Sequence, residues 1–172
     1  MTDPAATTTT PDALSPWHPA ALIATAGGIG HLPKAPGTWA SLAALPLAWL
    51  LDGLAGRGAI VAAGIVIALV GIWAGQIYVD HHRTQDPGEV VVDEVAAQLL
   101  VLAALPLSLL TTIAGFALFR LFDIWKPWPV SWADQKVKGG VGIMLDDLLA
   151  AAYAVLALLV IVALKDRLID VH

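Results

Sequence analysis

Five carboxylates lie beside long uncharged stretches of this sequence, where an acid is costly unless a cation or a partner satisfies it. They are Asp93, Glu94, Asp123, Asp146 and Asp147. Oxygen-only ligands suit Mg²⁺, which keeps some of its waters and takes further oxygens from a phosphate. The chain has no Cys and no suitably spaced His pair, which argues against zinc. Alternatively, Asp93 and Glu94 only mark a helix start, where the macrodipole favours acids.

Charges of alternating sign follow the third uncharged stretch. Arg120, Asp123 and Lys126 are spaced three residues apart, so Arg120 and Asp123 share a helical face, and Pro127 stops the helix. Three tryptophans surround this segment, and anchoring at a membrane interface is the expected role of all three: Trp125, Trp128 and Trp132.

Two further segments could present backbone N–H groups to an anion. In the first, Pro36 suits the first turn of a helix, Thr38 places a hydroxyl beside the free N–H groups, and Lys34 adds a positive charge. In the second, the Gly-rich stretch 139–142 leads toward the last apolar helix. Ordinary helix-start or turn chemistry also explains both segments.

Charged residues are rare in this chain as a whole. Of its 172 residues, 58% are hydrophobic and 13% are charged, whereas a soluble domain has about 45–50% apolar and about 25% charged residues. This excludes a disordered chain and argues against a free cytosolic enzyme. The absence of Cys excludes a disulfide scaffold. A net charge of −5 without a basic stripe argues against nucleic-acid binding.

Four uncharged stretches predict the elements that position these residues: 35–51, 58–79, 95–119 and 148–164. Roughly 20 apolar residues cross a bilayer as a helix, and the Ala and Leu content favours helix over strand. We therefore expect an all-α, polytopic membrane bundle with about three full spans. A soluble helical protein with an unusually large core is the alternative.

The third stretch sets the topology. Pro106 interrupts it, and a bend near Leu105–Leu109 would make a helical hairpin that returns both charged patches to one side of the membrane. The hairpin also gathers more Lys and Arg residues on that side, which the positive-inside rule then makes cytoplasmic. One kinked span remains the alternative, because membrane helices tolerate Pro.

The chain length fits one domain. Residues 1–16 are rich in Thr, Ala and Pro and predict a flexible tail, without the charged and apolar regions of a signal peptide. Residues 17–172 then form a single membrane-embedded helical domain.

Four blocks in this order resemble the phosphatidylglycerophosphatase A family: PKAPGTWASL at 33–42, VVVDEVAAQLL at 90–100, FRLFDIWKPWP at 119–129 and GGVGIMLDDLLA at 139–150. The resemblance covers about residues 17–165. It implies a Mg²⁺-dependent phosphatase of the bacterial inner membrane that converts phosphatidylglycerophosphate to phosphatidylglycerol and phosphate in anionic phospholipid synthesis. The chain has Ala40, Ala97 and Ala151 where the family is expected to have Gly, which bears on helix packing more than on chemistry.

For such a reaction, the chemistry of the charged residues suggests a role for each, as a hypothesis. Glu94, Asp123, Asp146 and Asp147 would hold Mg²⁺, which polarises the phosphate and activates water. Lys34, Thr38, Arg120 and Lys126 would bind the phosphate oxygens. Asp93 would act as a general base or an outer partner of the metal. Either water or one aspartate, with Asp123 and Asp147 as candidates, would be the nucleophile.

Two other classes of protein stay open. Ionisable residues near membrane helices also line the ion pathways of small transporters. The charges could instead serve a partner of a non-catalytic membrane subunit. The expected partners are membrane lipids and the lipid substrate, and the oligomeric state is left open.

Overall fold

The computed structural model describes residues 14–84 and 87–169. Within them are seven helices and one 3₁₀ turn, at Ile29–His31, and no strand. The helices are α1 (Pro19–Ala24), α2 (Pro36–Ala55), α3 (Arg57–His82), α4 (Val92–Ala103), α5 (Leu109–Trp125), α6 (Val130–Lys136) and α7 (Gly139–Ile169). The predicted tail lies outside the described residues except for residues 14–16.

Three helices are long and apolar enough to cross a membrane: Pro36–Ala55, Arg57–His82 and the Gly139–Lys165 part of α7. Their large exposed side chains are apolar along the helix middles, including Ile65, Leu69 and Leu156. Such side chains are stable in lipid rather than in water. The prediction of an all-α membrane bundle with three spans is therefore confirmed.

The third uncharged stretch folds as the predicted hairpin of α4 and α5. Pro106 cannot continue a helix, and α4 already ends at Ala103. Ser108 then caps α5, because its Oγ accepts a hydrogen bond from the Thr111 backbone N–H at 3.1 Å and its own N–H donates to Thr111 Oγ1 at 2.9 Å. The two ends of the hairpin meet, with Arg120 Nη1 4.0 Å from Glu94 Oε1. A single kinked span would have kept these residues on opposite sides.

The short helix α4 lies at the centre of the bundle. It packs against α2, α3, α5 and α7, and most of its side chains are buried. Small residues line the contacts, as is usual where membrane helices approach closely. Ala40, Ala97 and Ala151, the positions where Gly was expected, are all buried, so the bundle accommodates their methyl groups.

The Gly-rich stretch 139–142 is the first turn of α7 rather than a loop before it. A side chain on Gly140 would collide with the Ile72 carbonyl oxygen of α3. Without one, the Gly140 N–H donates to Gln76 Oε1 at 3.0 Å, which satisfies one of the free N–H groups at the helix start. Asp146 and Asp147 consequently lie about two turns inside α7, facing the bundle.

Candidate active site

The hairpin gathers one end of five helices around a polar cavity of about 280 Å³. The N-terminal ends of α2, α4 and α7 and the C-terminal ends of α5 and α6 contribute to its walls. Three helix N-termini therefore lie at one space, and their positive dipole ends favour anions there.

Charged side chains dominate the lining. Six carboxylates face three cations: Asp93, Glu94, Asp123, Asp134, Asp146 and Asp147 against Arg120, Lys126 and Lys138. An excess of buried negative charge opposes binding of an anionic phosphate unless a further cation enters. The net negative charge of the lining therefore favours a cation, and a phosphate is favoured only after a cation has bound.

Three of these acids form a compact cluster. One carboxylate oxygen from each of Asp93, Glu94 and Asp147 lies within 4.8 Å of the others. Asp93 and Asp147 are 6% and 3% exposed. Asp93 Oδ1, Glu94 Oε2 and Asp147 Oδ2 are buried without a hydrogen-bond partner among the described residues. Buried carboxylates left without donors fit a divalent cation with oxygen ligands.

Gly37 makes the approach of α2 to this acid cluster possible. A side chain at Gly37 would collide with the Glu94 carboxylate and would lie 3.4 Å from Arg120 Nη1. Ala35, just before α2, adopts a left-handed backbone conformation (φ 47°) that turns the chain at the rim of the cavity. Strained backbone of this kind is frequent at functional sites.

Arg120 enters the cavity from α5 with its donors partly free. Its Nη1 lies 2.7 Å from Asp123 Oδ2, which fixes the guanidinium by charge. The geometry is that of an ionic contact rather than an aligned hydrogen bond, because Nε and Nη1 both lack an acceptor among the described residues. A planar guanidinium with free N–H groups is suited to oxygens of a phosphate.

Lys126 is held from two sides. Its Nζ donates to Asp134 and to Asp146, the latter at 2.7 Å. Burial opposes the charge on Lys126, but these two carboxylates outweigh it and raise the pKa of the amine. Lys126 therefore stays protonated and contributes positive charge rather than a transferable proton. Its left-handed backbone (φ 47°), followed by Pro127, ends α5 at this point.

The predicted site residues are brought together only in part. Asp93, Glu94, Arg120, Asp123, Lys126, Asp146 and Asp147 all line the cavity. Lys34 is exposed and lines an adjacent apolar groove with Leu32, Pro33 and Trp39 instead. Thr38 is outside the cavity lining as well, so the roles of Lys34 and Thr38 as phosphate ligands stay predictions.

The structure groups the acids differently from the predicted metal set. Asp93 joins Glu94 and Asp147, whereas Asp123 and Asp146 contact cations. Asp134 and Lys138 also line the cavity, although no sequence feature singled them out. Asp134 lies on the short helix α6, and only its pairing with Lys126 reveals a role.

The model of the family "Phosphatidylglycerophosphatase A" matches residues 22–162. A protein named phosphatidylglycerophosphatase A from Haemophilus influenzae is 41% identical over 149 residues, covering 86% of this chain and 90% of that protein. One of the same name from Escherichia coli is 38% identical over 142 residues, covering 79% and 77%.

A third relative, from Bacteroides thetaiotaomicron, carries the provisional name phosphatidylinositol-3-phosphatase. It is 39% identical over 140 residues, covering 77% of this chain and 87% of that protein. No solved structure matches the chain.

Proposed function

The chain belongs to the phosphatidylglycerophosphatase A family, and we propose that it hydrolyses the terminal phosphomonoester of phosphatidylglycerophosphate. Water adds to phosphorus, the bond from phosphorus to the glycerol oxygen breaks, and that oxygen takes up a proton. The products are phosphatidylglycerol and inorganic phosphate. The observation that carries this proposal is the buried acid cluster beside a guanidinium with free donors.

Asp93, Glu94 and Asp147 are the residues best placed to hold Mg²⁺, because their unpartnered oxygens converge. When bound, the ion would polarise the phosphate and lower the pKa of a coordinated water. Asp123 and Asp146 stay candidates for additional ligands, and Asp123 stays a candidate nucleophile.

Arg120 and Lys126 would bind the phosphoryl oxygens. Arg120 offers buried N–H donors, and these act most strongly where water is excluded. Lys126 supplies fixed positive charge, since its two carboxylate partners keep it protonated. Asp123 would orient the guanidinium, because it contacts Arg120 from the next turn of α5.

The location of the cavity supports a lipid substrate. It lies at the ends of membrane-crossing helices, so acyl chains can stay in the bilayer while the headgroup enters. We further propose a place in the bacterial inner membrane, a cytoplasmic cavity and a role in anionic phospholipid synthesis. Six Lys and Arg residues belong to segments at the cavity end, against three at the other end (Arg57, Lys165 and Arg167), and positive charge favours the cytoplasmic side.

The test is phosphate release from phosphatidylglycerophosphate in detergent micelles, with Mg²⁺ and with EDTA. We expect release with Mg²⁺ and its loss in EDTA. Phosphatidylinositol 3-phosphate, assayed in parallel, is expected to be the poorer substrate, because two of the three relatives are named for the other lipid. A purified protein that releases no phosphate from either lipid would leave a transporter or a non-catalytic subunit as the better explanation.

The Asp147→Asn variant tests the acid cluster. It should lose activity by about a hundredfold or more, the range seen when a group that stabilises the transition state is removed. The same exchange at Asp52, near the opposite end of α2, is the matched control and should leave activity unchanged. Full activity of Asp147→Asn would remove this residue from the site.

A further inference from the structure

The mouth of the cavity has a simple composition. Most lining residues are buried or half-buried, and the exposed ones are Ala35, Gly88 and Lys138. Among the described residues that line the cavity, Lys138 is therefore the exposed charged one.

Lys138 differs from the two deeper cations. Arg120 and Lys126 each contact carboxylates, whereas Lys138 has no carboxylate within 4.0 Å in the part of the chain that the structure describes. It lies in the connection between α6 and α7, just before Gly139, whose φ of 70° turns the chain into α7. Its charge is thus available to a ligand.

Two exposed tryptophans lie on the segment that leads to Lys138. Trp128, which is 76% exposed, precedes α6, and Trp132, which is 50% exposed, belongs to it. Helix α6 leads to Lys138. Exposed tryptophans are typical of the membrane–water interface, where headgroup phosphates are found.

We propose that Lys138 binds the phosphodiester of the substrate, while Arg120 and Lys126 bind the terminal phosphomonoester. This inference rests on the proposed function and deepens it. The substrate class would be a polyol phosphate joined to a lipid through a phosphodiester. Lys138 would be the residue that recognises this phosphodiester. A Lys ammonium is a compact point charge, which is enough to pair with a singly charged diester.

The test compares two kinetic constants in the Lys138→Gln variant of the full chain. KM for phosphatidylglycerophosphate in mixed micelles should rise about fivefold to tenfold with kcat within about twofold, because a binding contact far from the reacting atom is lost. The inhibition constant of inorganic phosphate, which resembles only the terminal group, should stay unchanged. Lys138→Arg should recover most of the KM.

Lys136→Gln is the matched control. Lys136 is a nearby exposed lysine outside the cavity lining, so its variant measures general attraction between a basic surface and an anionic lipid. An unchanged KM in Lys138→Gln, an equal rise in Lys136→Gln, or weaker inhibition by phosphate in Lys138→Gln would each overturn the assignment. A wild-type protein that releases no phosphate would instead overturn the proposed function and this inference with it.

Discussion

At the scale of single residues, two of the three cations of the cavity contact carboxylates, and the third, Lys138, has none within 4.0 Å among the described residues. Arg120 contacts Asp123, and Lys126 contacts Asp134 and Asp146. In the acid cluster, Glu94 lies 4.0 Å from Arg120, whereas Asp93 and Asp147 contact no cation among the described residues. A metal ion would supply the positive charge that these acids lack. The unpartnered oxygens therefore support a metal site more strongly than the number of acids does.

Gln98 is a second buried polar group without a partner. It follows Glu94 by one helical turn, is fully buried, and neither of its amide atoms has a hydrogen-bond partner among the described residues. Such a group costs about 1–3 kcal/mol of stability. We expect Gln98→Leu to raise the thermal midpoint in detergent by a few degrees, since about 1 kcal/mol shifts a chain of this size by about 2–4 °C.

The control is Gln76→Leu, because Gln76 has both partners. Its Nε2 donates to Asp80 at 2.8 Å and its Oε1 accepts from Gly140 at 3.0 Å. This variant should lower the midpoint. A lower midpoint in Gln98→Leu as well would mean that Gln98 has a bound partner of its own.

At the scale of elements, the close approach of α2 to α4 depends on one missing side chain. Gly37→Ala would push against the Glu94 carboxylate. We expect activity to fall by at least about tenfold, since small displacements of catalytic groups are costly. Circular dichroism should show that the helices persist.

Gly53→Ala makes the same change near the other end of α2, where a methyl group meets no atom within 4 Å. It should keep full activity and match or exceed the wild-type stability, because Ala favours helix over Gly by about 1 kcal/mol. Wild-type activity in Gly37→Ala would show that catalysis does not depend on this position of the Glu94 carboxylate.

The sequence predicted the elements better than the contacts among them. Uncharged length located α2, α3 and α7, and Pro106 located the bend, because lipid and proline act on the chain locally. The membership of Asp93 in the acid cluster, the pairing of Asp134 with Lys126 and the outward position of Lys34 depend on how each helix is rotated against its neighbours. That rotation is set by close contacts such as those at Gly37 and Gly140, which spacing alone does not reveal.

At the scale of the whole molecule, the hairpin predicts the sidedness of the chain. Glu89 and Gln135 are exposed at the cavity end, and Arg57 is exposed at the start of α3. Single cysteines at positions 89 and 135 should react with a membrane-impermeant maleimide from one side of a vesicle, and a cysteine at 57 from the other. The natural chain has no Cys, so no background labelling interferes. Labelling of 89 and 57 from the same side would contradict this topology.

The return of the α4–α5 hairpin also decides which lipids the cavity can reach. With every lining residue at one face, the protein draws substrate from a single leaflet and leaves its product there. Each turnover removes negative charge from that leaflet alone and shifts its surface potential toward zero relative to the other. Complete conversion of the membrane's substrate then depends on how fast the remaining lipid flips, a rate that the protein itself does not set.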